Sequence, residues 1–178
     1  MIANRLRRLL LLCGAAFAGG AATRFAGATG FTRLRAPVPL STGLLAEPWL
    51  SLDFEALCCE AGDRPRALLR GTALRLPPEA SGESPFRAFC RLCPHETCLV
   101  ALERDPARVP VSLDAAVQSP LFVCPCHASV FDPLRDGARV AGPAARGLYR
   151  FELAVRGNDI AITGIEAGVL AGISQTDP

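Results

Sequence analysis

The sequence predicts an all-β domain, and three observations carry that reading. No long helical period appears after residue 31. In its place stand short apolar runs, several alternating with polar residues, separated by Pro, Gly and Asp. The clearest run, "GLYRFELAVRGNDIAITGI", reads as a hairpin. Tyr149, Phe151, Leu153 and Val155 alternate with polar or small partners, Gly157-Asn158-Asp159 turns the chain, and Ile160, Ile162 and Ile165 return. At 178 residues, 50% of them hydrophobic, the chain can hold one domain with its own core plus an appendage.

Charge separates the appendage from the domain. All 19 basic residues are Arg. Six of them fall in residues 1–35, which hold no acid; the remainder has 13 Arg against 17 acids, a balance of −4. A basic tail before a mildly acidic body does not suggest nucleic acid. It suggests targeting or a membrane, so residues 1–31 are expected to be a signal or anchor segment. Arg5, Arg7 and Arg8 precede an apolar and small run from Leu9 to Ala22, 14 residues long. A membrane span takes about 20, so the pure run suits a signal peptide, with Ala16-Phe17-Ala18 or Ala26-Gly27-Ala28 as cleavage sites. Continued to Phe31 it would serve as an anchor, with Arg24 turned toward the headgroups. The expected location is the periplasm or the periplasmic side of the cytoplasmic membrane.

Residues 32–46, with prolines and mixed polarity, read as a linker. The domain proper is expected over 47–165. "WLSLDFEAL" alternates in part, and "RALLRGTALRL" reads as a strand pair turning near Gly71. "PFRAFCRL" enters a first cysteine cluster, "LVALE" leaves it, and "SPLFV" enters a second. Cys90 is expected to face the core from a strand, as is at least one of the adjacent Cys58 and Cys59. Residues 166–178 read as a loose tail.

The two clusters are "CPHETC" at 93–98 and "CPCHAS" at 124–129, and they contain both histidines of the chain, His95 and His127. Each sits where a strand ends in a Pro-containing loop, so a rigid sheet can hold its ligands on exposed tips. Four soft or borderline ligands, two from each loop, suit a tetrahedral metal site. Six candidates are two too many, and the surplus pair could be a disulfide across the loops. Zinc is the competing reading, with Cys90 and Cys93 supplying a further ligand-like pair.

The spacing, Cys-x-His in one loop and Cys-x-x-His in the other, resembles the Rieske [2Fe–2S] iron–sulfur family, in which two Cys hold one iron and two His the other. "CPHETC" is similar to the first box of that family and "CPCHAS" to the second. "GPAARGLYRFEL" is similar to its Gly-Pro-Ala cover loop and following strand. The resemblance implies an antiparallel β-sandwich with a small cluster-binding subdomain and a [2Fe–2S] cofactor. It implies that Cys93 and Cys124 bind the buried iron, and that His95 and His127 bind the outer one. It further implies that Cys98 and Cys126 form a disulfide, that Ser129 donates to a bridging sulfur, and that Gly142, Pro143 and Ala144 cover the cluster.

Several positions depart from the family pattern. The gap between His95 and Cys124 is 28 residues (96–123), and its extra length is expected to form a surface loop or hairpin. Glu96 stands where an apolar residue often faces quinol. Thr97 and Ala128 stand where glycine is usual, so those turns are expected to be built differently. Phe131 stands where high-potential members carry a Tyr hydroxyl, which implies a potential below the top of the family range.

The resemblance implies one-electron transfer, the chain being a subunit of an oxidoreductase complex. The expected role is the iron–sulfur subunit of an exported, membrane-associated quinol–cytochrome c reductase, with cytochrome b and c type partners and quinol as donor. The alternative is the relay subunit of a periplasmic molybdenum oxidase of the arsenite oxidase kind, with a molybdopterin subunit as partner. A disulfide would persist only in an oxidising compartment, which agrees with the export-like N-terminus.

Overall fold

The computed structural model describes residues 30–59, 65–113 and 117–170. The segment expected to be a signal or anchor lies outside them except for Gly30 and Phe31, and so does most of the tail. Ten strands are described: β1 (Phe31–Ser41), β2 (Ser51–Cys59), β3 (Pro65–Arg75), β4 (Phe86–Cys90), β5 (Ala101–Glu103), β6 (Leu121–Val123), β7 (Val130–Asp132), β8 (Ala138–Ala141), β9 (Phe151–Arg156) and β10 (Asp159–Glu166). They form two antiparallel sheets. The larger has the order β4-β3-β2-β1-β10-β9, and the smaller β5-β6-β7-β8. The larger sheet curls until its edges meet at a bridge between Phe89 and Arg150. The all-β fold class is therefore as expected, with no helix among the described residues long and apolar enough to cross a membrane.

Two cores follow from strand alternation. Inside the curled sheet lie Phe54, Leu69, Phe151, Ile160, Ile162 and Ile165. Phe54 and Phe151 meet edge to face there, with centroids 4.9 Å apart. The outer face of β3 and β4 presents Leu74 and Phe89, which pack with Phe122, Phe131 and Leu148 of the smaller sheet and its connections. Strands β3 and β4 are thus buried on both faces, and their outer face is the bed on which the small sheet rests.

Three elements differ from the sequence reading. Residues 31–41, assigned mostly to a linker, form β1, paired with β10 from Phe31↔Glu166 to Ser41↔Asp159. Prolines 37 and 39 fit because β1 meets β2 at a single pair, Leu34↔Cys58, so most of that side carries no ladder to break. Leu34 is buried, and Val38 and Leu40 pack on the same core. Residues 65–75 form one strand, not two with a turn. Gly71 is there for close approach: a Cβ would lie 2.3 Å from the Phe54 ring. The start of the tail is docked. Ala167 N donates to Gly30 O at 2.5 Å, and Val169 is buried in the larger core.

The hairpin of β9 and β10 is as expected, from Asp159↔Arg156 to Ile165↔Phe151. The long gap between the clusters also forms a hairpin, β5 pairing with β6 from Ala101↔Val123 to Glu103↔Leu121. Its connection has a short 3-10 turn, Pro106–Arg108, opened by Asp105 Oδ1 accepting from Ala107 N at 3.0 Å. Val109, Leu121 and Val130 make a small satellite core beneath it.

Candidate metal centre

Each cysteine–histidine box folds into the same six-residue loop. In the first, Cys93 N donates to Cys98 O at 2.9 Å and Thr97 N to Cys93 O at 3.0 Å. In the second, Cys124 N donates to Ser129 O at 2.8 Å and Ala128 N to Cys124 O at 3.1 Å. Proline follows the leading cysteine in both. The fifth residue, Thr97 or Ala128, takes a left-handed conformation with φ 53° in each. Both residues thus take the conformation that ordinarily favours glycine. The closing bonds hold each side chain in a backbone well that glycine would enter without strain.

The first loop is fastened to the larger sheet at its stem. Arg91 N donates to Arg70 O and Val100 N to Arg91 O, both at 2.8 Å. The Arg91 side chain donates through Nε to Val100 O at 2.9 Å and pairs with Asp53 on β2. Thr72 on β3 holds the other oxygen of Asp53 at 2.6 Å. The second loop joins β6 to β7 within the smaller sheet.

Together the loops sort their donors by depth. Cys93 and Cys124 are buried, 1% and 2% exposed, in the core between the sheets. His95 and His127 lie above, with ring centroids 4.9 Å apart and planes at 89°. Their side chains are 30% and 46% exposed. Glu96 stands beside both, its carboxylate 4.0 Å from His95 Nε2 and 3.7 Å from His127 Nδ1. Cys98 and Cys126 are joined by a disulfide, with Cα atoms 6.5 Å apart, which ties the end of one loop to the middle of the other. The structure thus brings all six candidates of the boxes to one place. Cys90 is not among them; it is wholly buried in the larger core.

The chemistry of this donor set suits a positive centre. His95 Nδ1 is buried and has no hydrogen-bond partner, so a ring nitrogen is left for a ligand bond. Burial pushes the Cys93 thiol above its ordinary range, and Cys124 beside it adds to the rise. The His95 and Glu96 amides, donating to its sulfur, oppose it. A site that aims amides at a sulfur while denying it solvent favours a thiolate only when a cation is bound.

Ser129 and Gly142–Ala144, the residues expected to cover a cluster, lie against one another beside the two buried cysteines. Ser129 is wholly buried, and its Oγ accepts from Ala144 N at 3.1 Å. The hydroxyl proton therefore remains to be donated elsewhere. Gly142, at φ 84°, lies so close to the second loop that a Cβ would stand 2.3 Å from Ser129 Cα. Ala144 is buried with Cys93 and Cys124, and Pro143 is exposed at the rim. Reading the sequence missed the residues that hold this loop from outside. Arg139 donates to Gly142 O at 2.8 Å, and Arg146 pairs with Glu166 at 3.0 Å. In a chain whose every cation is Arg, no local pattern marks those two.

An all-β domain whose paired loops present two cysteines and two histidines beside a cystine has the donor set of a metal-binding domain. Residues 55–152, more than half of the chain, match the family model described as Rieske [2Fe-2S] domain, and the chain belongs to that family. The family binds a [2Fe–2S] cluster, and the chain is accordingly an electron-transfer domain. Over 70 residues, 39% of this chain, it is 37% identical to the Rieske iron–sulfur subunit of the cytochrome bc1 complex from Corynebacterium diphtheriae. Over 70 residues it is 31% identical to a protein from Haloferax mediterranei named as a respiratory nitrate reductase Rieske subunit. The matched stretch spans only 14% and 26% of those relatives. The soluble domain of Rieske protein II from Sulfolobus acidocaldarius aligns at 18% identity with a TM-score of 0.48, covering 79% of this chain and 81% of that one.

Proposed function

We propose that this chain is the Rieske subunit of an exported, membrane-associated oxidoreductase of the quinol–cytochrome c reductase kind. The observation supporting it is the pairing of two loops that bring two part-exposed imidazoles edge to face, bury two thiols and share a cystine. In this reading Cys93 and Cys124 hold the inner iron and His95 and His127 the outer. The [2Fe–2S] cluster supplies one-electron chemistry, at a potential raised by neutral imidazoles in place of two thiolates. The protein does the rest. Ala144 and Leu148 help bury the thiols, and Ser129 has a proton to offer a sulfur. The exposed edges of His127 and His95 face a partner, and a ring nitrogen of either can take the proton that accompanies the electron. Quinol would be the donor, with cytochrome b and c type subunits as partners. The cystine and the basic, apolar residues 1–31 both support export.

One observation favours a second reading, the relay subunit of a periplasmic molybdenum oxidase served by a molybdopterin subunit. Glu96, its side chain 56% exposed, puts a carboxylate beside both imidazoles, where a quinone would be better met by an apolar surface.

The test is an electron paramagnetic resonance spectrum of the dithionite-reduced protein, with a redox titration. Nitrogen-ligated iron gives a lowered average g-value. A colourless, zinc-containing protein with no such signal overturns both readings. Affinity purification from native membranes then separates them: co-purifying b-type haem supports the first, and molybdenum the second.

A further inference from the structure

The cover loop is held on its inner side and along its outgoing limb, besides the bond from Arg139 to Gly142 O. Its inner side rests on the second cluster loop, through Ala144 N to Ser129 Oγ at 3.1 Å and through the close approach of Gly142 to Ser129. Its outgoing limb carries Arg146. The Arg146 guanidinium lies 3.9 Å from the centroid of the Tyr149 ring, and its Nη2 is 3.0 Å from Glu166 Oε2. Both supports are themselves fixed. Tyr149 is 8% exposed and donates its hydroxyl to Gly168 O at 3.2 Å. Glu166 ends β10, accepts from Arg150 N at 3.2 Å and pairs with the Arg150 guanidinium at 3.6 Å. Arg146 is thus caught between a buried ring and a fixed carboxylate, and it ties the cover loop to the larger sheet.

We infer that Arg146 is a positioning residue for the iron–sulfur centre. It holds the cover loop down so that Ala144 stays over Cys93 and Cys124 and water stays out. The inference rests on the iron–sulfur reading. Planarity matters as well as charge, since a guanidinium can stack on the ring and bond the carboxylate at once, while an ammonium cannot. The neighbouring ion pairs supply a control. Arg87 reaches Asp136 at 3.3 Å, and Asp136 meets Arg150 at 3.8 Å. Arg87 therefore belongs to the same charge network without touching the cover loop.

Two readouts test this. The first is the rate at which a chelator bleaches the visible absorbance of the loaded protein. The second is exchange of the Ala144 amide in the protein as isolated, followed by mass spectrometry of the peptide that holds it. Arg146→Gln should speed both by roughly tenfold, the sum expected of a half-exposed ion pair and a cation–ring contact. Glu166→Gln should speed them in the same direction, and Arg146→Lys should recover part of the protection. Arg87→Gln should leave both at the wild-type rate. Wild-type rates in Arg146→Gln, or equal acceleration in Arg87→Gln, would overturn the inference, the latter by exposing a general loosening. A wild-type protein that takes up no iron would sink the iron–sulfur reading, and Ala144 exchange would still judge the latch by itself.

Discussion

Phe131 is wholly buried in the same core as Cys93 and Cys124, and it brings a ring without a hydroxyl. A hydroxyl there would donate toward the reduced, more negative cluster. Phe131→Tyr should therefore raise the reduction potential, by about 20–60 mV for one hydrogen bond of ordinary net strength. Redox titration of the two proteins decides it, and an unchanged potential would mean that the ring edge does not reach the cluster. Cys90 makes a different prediction, about pH. Burial raises its thiol to about 11 from an ordinary 9.0, with Cys58 adding to the rise and the Leu92 amide opposing it. The unfolded thiol ionises first, so above 9 the unfolded chain holds fewer protons and stability falls until about 11. Below that window the full contribution is present. Denaturant midpoints on either side of it should drop further for wild type than for Cys90→Val; parallel drops would reject the assignment.

At the scale of elements, two loops of one design must be kept in register with each other. Each is closed by its own backbone bonds, but one is fastened to β4 and the other to β6. The Cys98–Cys126 cystine crosses from loop to loop over a sequence separation of 28. Replacing both cysteines by serine should cost about 2–4 kcal/mol. Chemical denaturation of the variant and wild type measures it, and reductant should lower the wild-type midpoint and leave the variant's unmoved. A midpoint indifferent to both changes would show the loops to be held by their stems alone. The donor boxes were legible in the sequence because ligand chemistry is written locally, in residue type and spacing. Strand β1 was not. Its prolines suggest a linker until the paired β10 and the nearly unpaired β2 side are known. Gly71 misled for a related reason, since a glycine that admits two phenyl rings looks the same in a sequence as one that turns the chain.

At the scale of the molecule, the small sheet has strands of only three or four residues. It rests on the larger sheet through a core that includes Cys93 and Cys124. Removing the iron should therefore loosen the molecule unevenly. Amide exchange in β5–β8 should rise by roughly tenfold or more, while the long ladders of β1–β3 and β10 stay protected. Exchange mass spectrometry before and after chelation checks this, and a uniform change across both sheets would count against it. The residues of the sequence by themselves determined the all-β class, the β9–β10 hairpin and the two boxes that carry the candidate donors, because alternation and ligand spacing are short-range properties. The tertiary structure alone decided which donors are buried and which are exposed. It also decided how a left-handed Thr97 and Ala128 are tolerated, and which two arginines among 19, Arg139 and Arg146, hold the cover loop. Those depend on which surfaces two curled sheets bring together, and no local run of residues encodes that meeting.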